Sequence, residues 1–411
     1  MSGAEVVVVG GGPAGSAAAY WLALLGHPVT LVEQQRYPRD KTCGDGLTPR
    51  SIHELELMGF DFSAAEFHRT DGLRSYAGDL KLEMAWPRHS VYPSWGGIIR
   101  RTDLDAQVAA LAEKQGVVVR QQATAAPVLE EGRLIGVELT HDGEAEVLHP
   151  RVVVIADGSQ SRFGRALGTQ RERSYPFGLA ARGYFTAANS SDGFMESHLD
   201  LRDRRGDTVP GYGWVFPLGD GTANVGVGLL SQSRRWKGTN TSLLMDTFVE
   251  MIPEYWEISP QTAISKPRGG KLLMGFSIAP LAGPNWVVAG DAGGAINPLN
   301  GEGIAYAYET GRLAAEAVHK ALASDDLTIL AGYPQALQQV YGPYYKVGRI
   351  FVKALGRPVV MRSLVRTGMR SRPLMEWVLK VMANLLEPDE RSIGDEVYRA
   401  IERLVRAAPG R

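Results

Sequence analysis

Glycines near the start of the chain are its first candidates for chemistry. Gly10, Gly12 and Gly15 satisfy G-x-G-x-x-G, with Pro13 and Ala14 inside the motif and Glu33 at the end of the next apolar run. Glycines so spaced allow a tight turn, the approach of a pyrophosphate to bare backbone, and close helix–strand packing. The carboxylate can accept hydrogen bonds from a ribose diol. Two more acids close apolar runs: Asp157 in R-V-V-V-I-A-D-G and Asp291 in N-W-V-V-A-G-D. The one thiol, Cys43, opens Cys43-Gly44-Asp45-Gly46, where paired glycines let backbone lie against a flat ligand. Tyr212, Trp214 and Phe216 alternate ahead of Pro217 and share one face of an extended strand. That face is either an apolar wall for a ligand or ordinary sheet core.

These groups need elements to hold them. Val6 to Val9 is β-branched and of strand length, the pattern of a strand buried on both faces. A helix is predicted from Ala14 to Leu25 with Gly26 as its C-terminal cap, then a second parallel strand over Val29–Val32. The runs ending at Asp157 and Asp291 predict two further buried strands, and 305–322 is strongly helix-forming. The first unit binds a dinucleotide, and NAD and FAD both use it. No second strand–GxGxxG–helix unit occurs, so a nicotinamide would bind only transiently.

Composition removes whole classes. With 411 residues, 44% hydrophobic and 22% charged, the chain is globular rather than disordered. Lys plus Arg is 44 against 45 Asp plus Glu, a net charge of −1, which argues against nucleic acid as a partner recognised through overall charge. One cysteine rules out an internal disulfide or a multi-cysteine metal site, and the 8 histidines show no helical pairing, so no metal is expected. No G-x-S-x-G elbow is present. No apolar run approaches the ~18 residues of a membrane span, and no basic segment precedes the first strand as in a signal peptide. A cytoplasmic protein is expected.

Taken in order, the three apolar runs resemble the three fingerprints of FAD enzymes of the glutathione-reductase type and the aromatic hydroxylases. The resemblance implies FAD, held non-covalently because no histidine or extra cysteine sits in the fingerprints. It implies that Asp291 holds the ribityl chain, and that Gly303 with Ile304 opens a helix whose positive end faces the flavin pyrimidine ring. Arg101, in R-T-D-L-D, and Ala125 are implied as further flavin contacts. The middle fingerprint, usually D-G-x-x-S-x-x-R, departs here: Asp157, Gly158 and Ser161 fit, but position 164 is glycine and the arginines are Arg162 and Arg165.

The Cys43-Gly44-Asp45-Gly46 loop and Tyr212-x-Trp214-x-Phe216-Pro217 further resemble the geranylgeranyl reductase family, which uses reduced FAD to saturate isoprenoid double bonds. Val209 stands where that family commonly has proline. Leu47–Arg50, Asn297–Ile304 and Met361-Arg362-Ser363 look closest to its actinobacterial branch acting on menaquinone. The implied function is saturation of an isoprenoid C=C bond of a prenyl lipid, menaquinone-like. Tyr212, Trp214, Phe216 and Pro217 would meet the substrate. Cys43 and Tyr212 are the candidate catalytic groups, though Cys43 reads equally as a small buried hydrophobe and Tyr212 as packing. The electron donor is left open among NADPH, a quinol and a redox protein. Alternatives are a reductase of geranylgeranyl lipid or diphosphate, an aromatic monooxygenase, a non-catalytic prenyl binder, and a flavin-dependent halogenase, whose W-x-W-x-I-P motif and lysine would correspond to the aromatic stripe and Lys81.

The expected fold class is α/β: a Rossmann-like FAD-binding domain (1–74, 99–179, 276–324) interrupted by a mostly antiparallel sheet domain (75–98, 180–275). A helical region, 325–411, follows. Between Tyr341 and Leu386 stand Lys346, Arg349, Lys353, Arg357, Arg362, Arg366, Arg370, Arg372 and Lys380 against one acid, Glu376. Interleaved with Ile350, Val359 and Leu364, these cations suit helices lying on the anionic inner face of the cell membrane, or else solvated faces of packed helices.

Overall fold

The computed structural model describes residues 5–63, 66–231, 238–387, 394, 396, 398–400, 402 and 403. The valine run forms a strand, Val6–Val9, at the centre of a six-stranded sheet. Its neighbours, Val29–Val32 and Val152–Ile155, run parallel to it, and all three are buried on both faces. Val118–Arg120 and Trp286–Val288 extend the sheet in parallel, and Ala282–Gly283 closes one edge antiparallel. Parallel strands need crossovers, and the helix Pro13–Leu24 supplies the first.

That helix packs against the long helix Ile304–Ala323. The two approach closely because Gly311 faces Ala14 and Ala17; a Cβ there would lie 2.4 Å from the Ala14 carbonyl oxygen. An antiparallel meander, Thr124–Glu130, Arg133–His141 and Glu144–Leu148, sits beside this layer.

The second body is a seven-stranded sheet running from Arg268–Leu273 through Phe177–Thr186, Thr222–Leu230, Gly211–Pro217, Phe194–His198 and Gly72–Ala77 to Leu80–Ala85. Its pairings are antiparallel except that of Phe194–His198 with Gly72–Ala77, which is parallel. The period-2 alternation sorts the strand Gly211–Pro217. Val215 joins the apolar cluster under the helix Thr241–Val249, while Phe216 points to the opposite face. Three helices follow: Tyr333–Leu355, Pro358–Gly368 and Arg372–Met382. Residues 388–393, 395, 397, 401 and 404–411 of the helical region expected from the sequence lie outside the described residues.

The Gly311 contact makes a first prediction. Gly311→Ala forces the two helices apart and should destabilise the protein by about 1–3 kcal/mol, the usual range for overpacking, read by denaturant unfolding.

Candidate functional site

The phosphate cradle is built by the first strand–turn–helix. Gly10 has φ +102, and a Cβ there would lie 2.5 Å from the carbonyl oxygen of Ala156, so the turn admits only glycine. Gly15 packs onto the Gly10 carbonyl with no room for a side chain. Gly12, the N-cap, makes no side-chain cap hydrogen bond, and a Cβ on it would meet only an Arg39 guanidinium nitrogen at 3.8 Å. Pro13 and Ala14 open the helix behind it. Bare N–H groups at a helix start, with a cation beside them, fit a pyrophosphate.

Glu33 is 4% exposed and accepts hydrogen bonds from the N–H groups of Gly11 (3.1 Å) and Gln35 (3.0 Å). Arg39 bridges Glu33 and Asp105, both at 3.0 Å, and Arg101 donates twice to Asp105 at 2.7 Å. Arg101 is thus clamped within its own helix, Arg101–Lys114, facing Cys43 and Asp45. Sequence reasoning did not single out Arg39, and it met Asp105 only as the last residue of R-T-D-L-D. Ala125 lies in the meander, paired with Leu139 and next to the segment where Ala123 donates to the Glu33 carbonyl.

On the far side, Gly303 caps the helix Ile304–Ala323 without a side-chain partner, leaving its N–H groups free to face a ligand. Asp291 lies nearby, its Oδ1 3.5 Å from where a Gly303 Cβ would stand. Among the described residues no donor reaches its carboxylate, and burial pushes its pKa up against the pull of Lys41 and Arg101. Two uncapped helix starts, a ribose acid and an unpartnered carboxylate make a cradle that FAD fits.

The middle fingerprint explains its own departure. Ser161 caps a short helix, Arg162–Ala166, by accepting from the Gly164 N–H at 3.0 Å, and a Cβ at 164 would lie 2.7 Å from the Ser161 hydroxyl. Arg162 and Arg165 are exposed, so neither contributes the buried arginine of the usual pattern.

Cys43–Gly46 forms the wall between the two bodies. A Cβ on Gly44 would lie 3.4 Å from the Phe216 ring, and one on Gly46 only 3.0 Å away. The loop therefore lies flat on the aromatic stripe. Of that stripe, Trp214 is 5% exposed and its indole N–H donates to Asn224 Oδ1 at 2.9 Å, while Tyr212 and Phe216 are half-buried. The Tyr212 hydroxyl donates to the Asn300 carbonyl at 2.8 Å, tying the stripe to the third fingerprint, and Pro217 ends the strand. Asp45 is fully buried with φ +64, a backbone region that costs a non-glycine residue. Its Oδ2 accepts from Tyr184 (2.6 Å) and Asn224 (2.8 Å), while Oδ1 has no partner. Burial pushes the Asp45 carboxyl up to about 6 and also raises the Cys43 thiol, so that thiol stays protonated at neutral pH.

Glu302, half-buried with its Oε2 shut off from solvent, is a second acid that sequence reasoning passed over. It accepts from the hydroxyls of Thr48 and Ser51, its Oε2 has no partner, and burial pushes it up to about 7. Tyr184, Arg182 and Asn224, the partners of the loop, were missed as well. Nothing local marks them, because each sits in an ordinary strand pattern.

The fold and this cradle define an FAD-binding oxidoreductase. Residues 3–197 match the family model described as an FAD binding domain. The chain is 40% identical to a menaquinone reductase of Mycobacterium tuberculosis over 99% of this chain and 98% of the relative. It is 30% identical to a digeranylgeranylglycerophospholipid reductase of Thermoplasma acidophilum, over 82% and 81%. Among solved structures, a geranylgeranyl bacteriochlorophyll reductase-like protein from Thermoplasma acidophilum superposes with TM-score 0.78 at 23% identity, over 97% and 99% of the two chains. A myxobacterial chondrochloren halogenase gives 0.73 at 20%, over 99% and 98%, a likeness of fold alone. The chain belongs to the geranylgeranyl reductase family of FAD-dependent oxidoreductases.

Two predictions follow from the cradle and its acids. The cradle offers FAD backbone amides and helix ends, so acid precipitation should release the yellow chromophore into the supernatant; colour kept in the pellet would mean a covalent link. Glu302 has a folded pKa near 7 against 4.5 unfolded, so the folded state holds its proton more tightly. That stabilisation is full below 4.5 and is lost as pH rises through 7. In apoprotein, the stability of Glu302→Gln relative to the unaltered chain should therefore rise from pH 4.5 to 8, by up to about 3 kcal/mol.

Proposed function

We propose that this protein is an FAD-dependent reductase that saturates one C=C bond in the isoprenoid side chain of menaquinone, working at a membrane surface. The observation that carries this is the ring of Phe216 lying against the bare glycine loop beside the cradle, on the strand whose Tyr212 reaches the third fingerprint at Asn300. The full-length likeness to menaquinone reductases supports the choice of lipid.

An isolated trisubstituted alkene has no carbonyl to polarise, so hydride attack alone is poor. Bound FAD, when reduced, supplies the hydride. The chain's own groups exclude water and hold protons. Proton transfer from a neutral acid of the chain to one alkene carbon leaves cation-like charge on the other, the carbon that takes the hydride. The ring faces of Phe216 and Tyr212 can stabilise that charge along a dry wall. Cys43, Asp45 and Glu302 are three acids held toward their neutral forms around the loop. Cys43 and Tyr212 remain the candidate proton-bearing groups, with the Tyr212 hydroxyl donating to the Asn300 carbonyl and the thiol accepting from the Asp45 N–H at 3.4 Å.

The halogenase reading loses its lysine. Lys81 is half-exposed on the edge strand Leu80–Ala85 and pairs with Glu83 at 3.1 Å.

The substrate stays in a bilayer, and among the described residues no helix is long and apolar enough to cross one. The helix Pro358–Gly368 supports contact from one side. Val359 is 69% exposed and Leu364 49%, among the exposed cations Arg357, Arg362, Arg366 and Arg370. Not every cation counted in the sequence belongs to that face. Arg349 turns inward, donating to the Gly275 carbonyl and stacking on Tyr175, and Arg372 pairs with Glu376. Each remaining cation near an anionic surface is worth about 1 kcal/mol.

Anaerobic incubation with reduced flavin and menaquinone vesicles should convert the lipid to a product heavier by two hydrogens, read by mass spectrometry. An unchanged lipid alongside a flavin that reoxidises only in oxygen would reject the reading. Tyr212→Ala should cut this turnover at least tenfold with FAD content kept. In vesicle flotation, binding should need anionic lipid and weaken with salt, and the triple change Arg362→Glu, Arg366→Glu, Arg370→Glu should abolish it. Equal binding to neutral vesicles would reject electrostatic docking.

A further inference from the structure

Beneath the inner face of the seven-stranded sheet lies an apolar cluster unlike the other two. Met84, Met195, Met369 and Met375 are all buried in it, four of the chain's 11 methionines, whereas each of the other clusters buries one. Methionine is unbranched and flexible, and it fills irregular space that must reshape itself around an apolar guest. A rigid core is better specified by branched side chains.

The cluster has two ends. One is Phe216, the stripe residue lying on Gly46. The other is Trp86, 6% exposed, in the floor of a groove of about 350 Å³ between the end of the edge strand Leu80–Ala85 and the helix Arg372–Met382. Arg88, Arg372, Glu376 and Lys380 rim that groove. Next along the surface is the helix bearing exposed Val359 and Leu364. The methionines thus join a cation-rimmed groove beside the docking face to the aromatic wall at the flavin loop.

We infer that the isoprenoid chain of the substrate enters through the Trp86 groove, between the edge strand and the helix Arg372–Met382, and threads the methionine cluster to Phe216. The inference rests on the prenyl-reductase reading and adds the route. The helices and sheet part by rotation of methionine side chains, and the chain replaces their contacts with its own, so little apolar surface meets water at any stage. Arg88 and Lys380 remain at the surface, where lipid phosphates lie, while Arg372 stays paired with Glu376.

The test uses the holoenzyme with a cysteine at the rim. Native Cys43 is half-buried, and the unaltered chain given the same reagent sets its background. Glu376→Cys is labelled with a bulky maleimide, and Glu113→Cys, exposed on the distant helix Arg101–Lys114, serves as the control. Turnover of menaquinone is measured in detergent micelles, where membrane docking is not required. Labelling at 376 should lower turnover at least tenfold relative to the same variant before labelling, with FAD content and reduction by dithionite unchanged. Labelling at 113 should change nothing. A fall smaller than threefold at 376 overturns the route and leaves the reductase reading intact. No turnover by any form, including the unaltered chain, overturns the reductase reading and the route with it.

Discussion

The carbonyl of Cys43 is the point on which the two bodies of the molecule turn. It accepts hydrogen bonds from Arg182 Nε at 3.2 Å and Asn224 Nδ2 at 3.0 Å, both from strands of the seven-stranded sheet. Arg182 is 1% exposed, so its charge survives there only because Asp40 (2.5 Å) and the Lys41 carbonyl (3.1 Å) meet it. Without Asp40 the buried guanidinium would be left with carbonyl partners alone. The sheet is thereby fixed to the loop that follows the second parallel strand, and the loop is fixed against the aromatic stripe. Asn224 also holds Trp214 and Asp45, so one amide sets the loop, the stripe and the buried acid in register.

This arrangement explains the unusual backbone of Asp45. A glycine at φ +64 would be free of strain, yet aspartate stands there between two glycines. Its carboxylate repays the conformational cost through Tyr184 and Asn224, and burial holds it toward the neutral state. Tyr184 is itself flanked by guanidinium groups, Arg182 at 4.5 Å and Arg100 at 5.4 Å from the ring centroid. The loop therefore presents bare backbone and a thiol on one side while its polar machinery is spent inward. A site meant for an apolar chain needs that division, because any unpaired polar group at the wall would keep water in place.

The dinucleotide fold was readable because its signals are local. Strands buried on both faces must be apolar throughout, and the turn glycines are demanded by contacts within a few ångströms of their own backbone, as at Gly10 and Gly15. The stripe was readable too, but its division of labour was not. Alternation places Trp214 with Tyr212 and Phe216, and only the partner Asn224 shows that Trp214 is the packed member. Arg182 and Asn224 carry no motif, since their partners in the loop lie 139 and 181 residues away in sequence. Charge counting had the same blind spot in the C-terminal helices. It found Arg349 but not its inward turn onto Tyr175.

Those helices are bound to the flavin body by polar contacts rather than by apolar area alone. Arg50 reaches from the helix Pro49–Leu57 to Glu309 at 2.6 Å and to the Asn384 carbonyl at 3.0 Å. Asn297, in the third fingerprint, donates to the hydroxyls of Tyr306 and Tyr344 and to the Met382 carbonyl. Both anchors fall at or just beyond the end of the helix Arg372–Met382. Among the described residues, the opposite end of that helix and the exposed helix before it show no comparable polar hold on the flavin body, and Met369 and Met375 join the cluster beneath the sheet. Directional bonds fix one end, and adaptable packing covers the other. On the proposed route, that asymmetry would let the methionine-packed end shift to admit a chain while the fingerprint loop and Glu302 keep their positions.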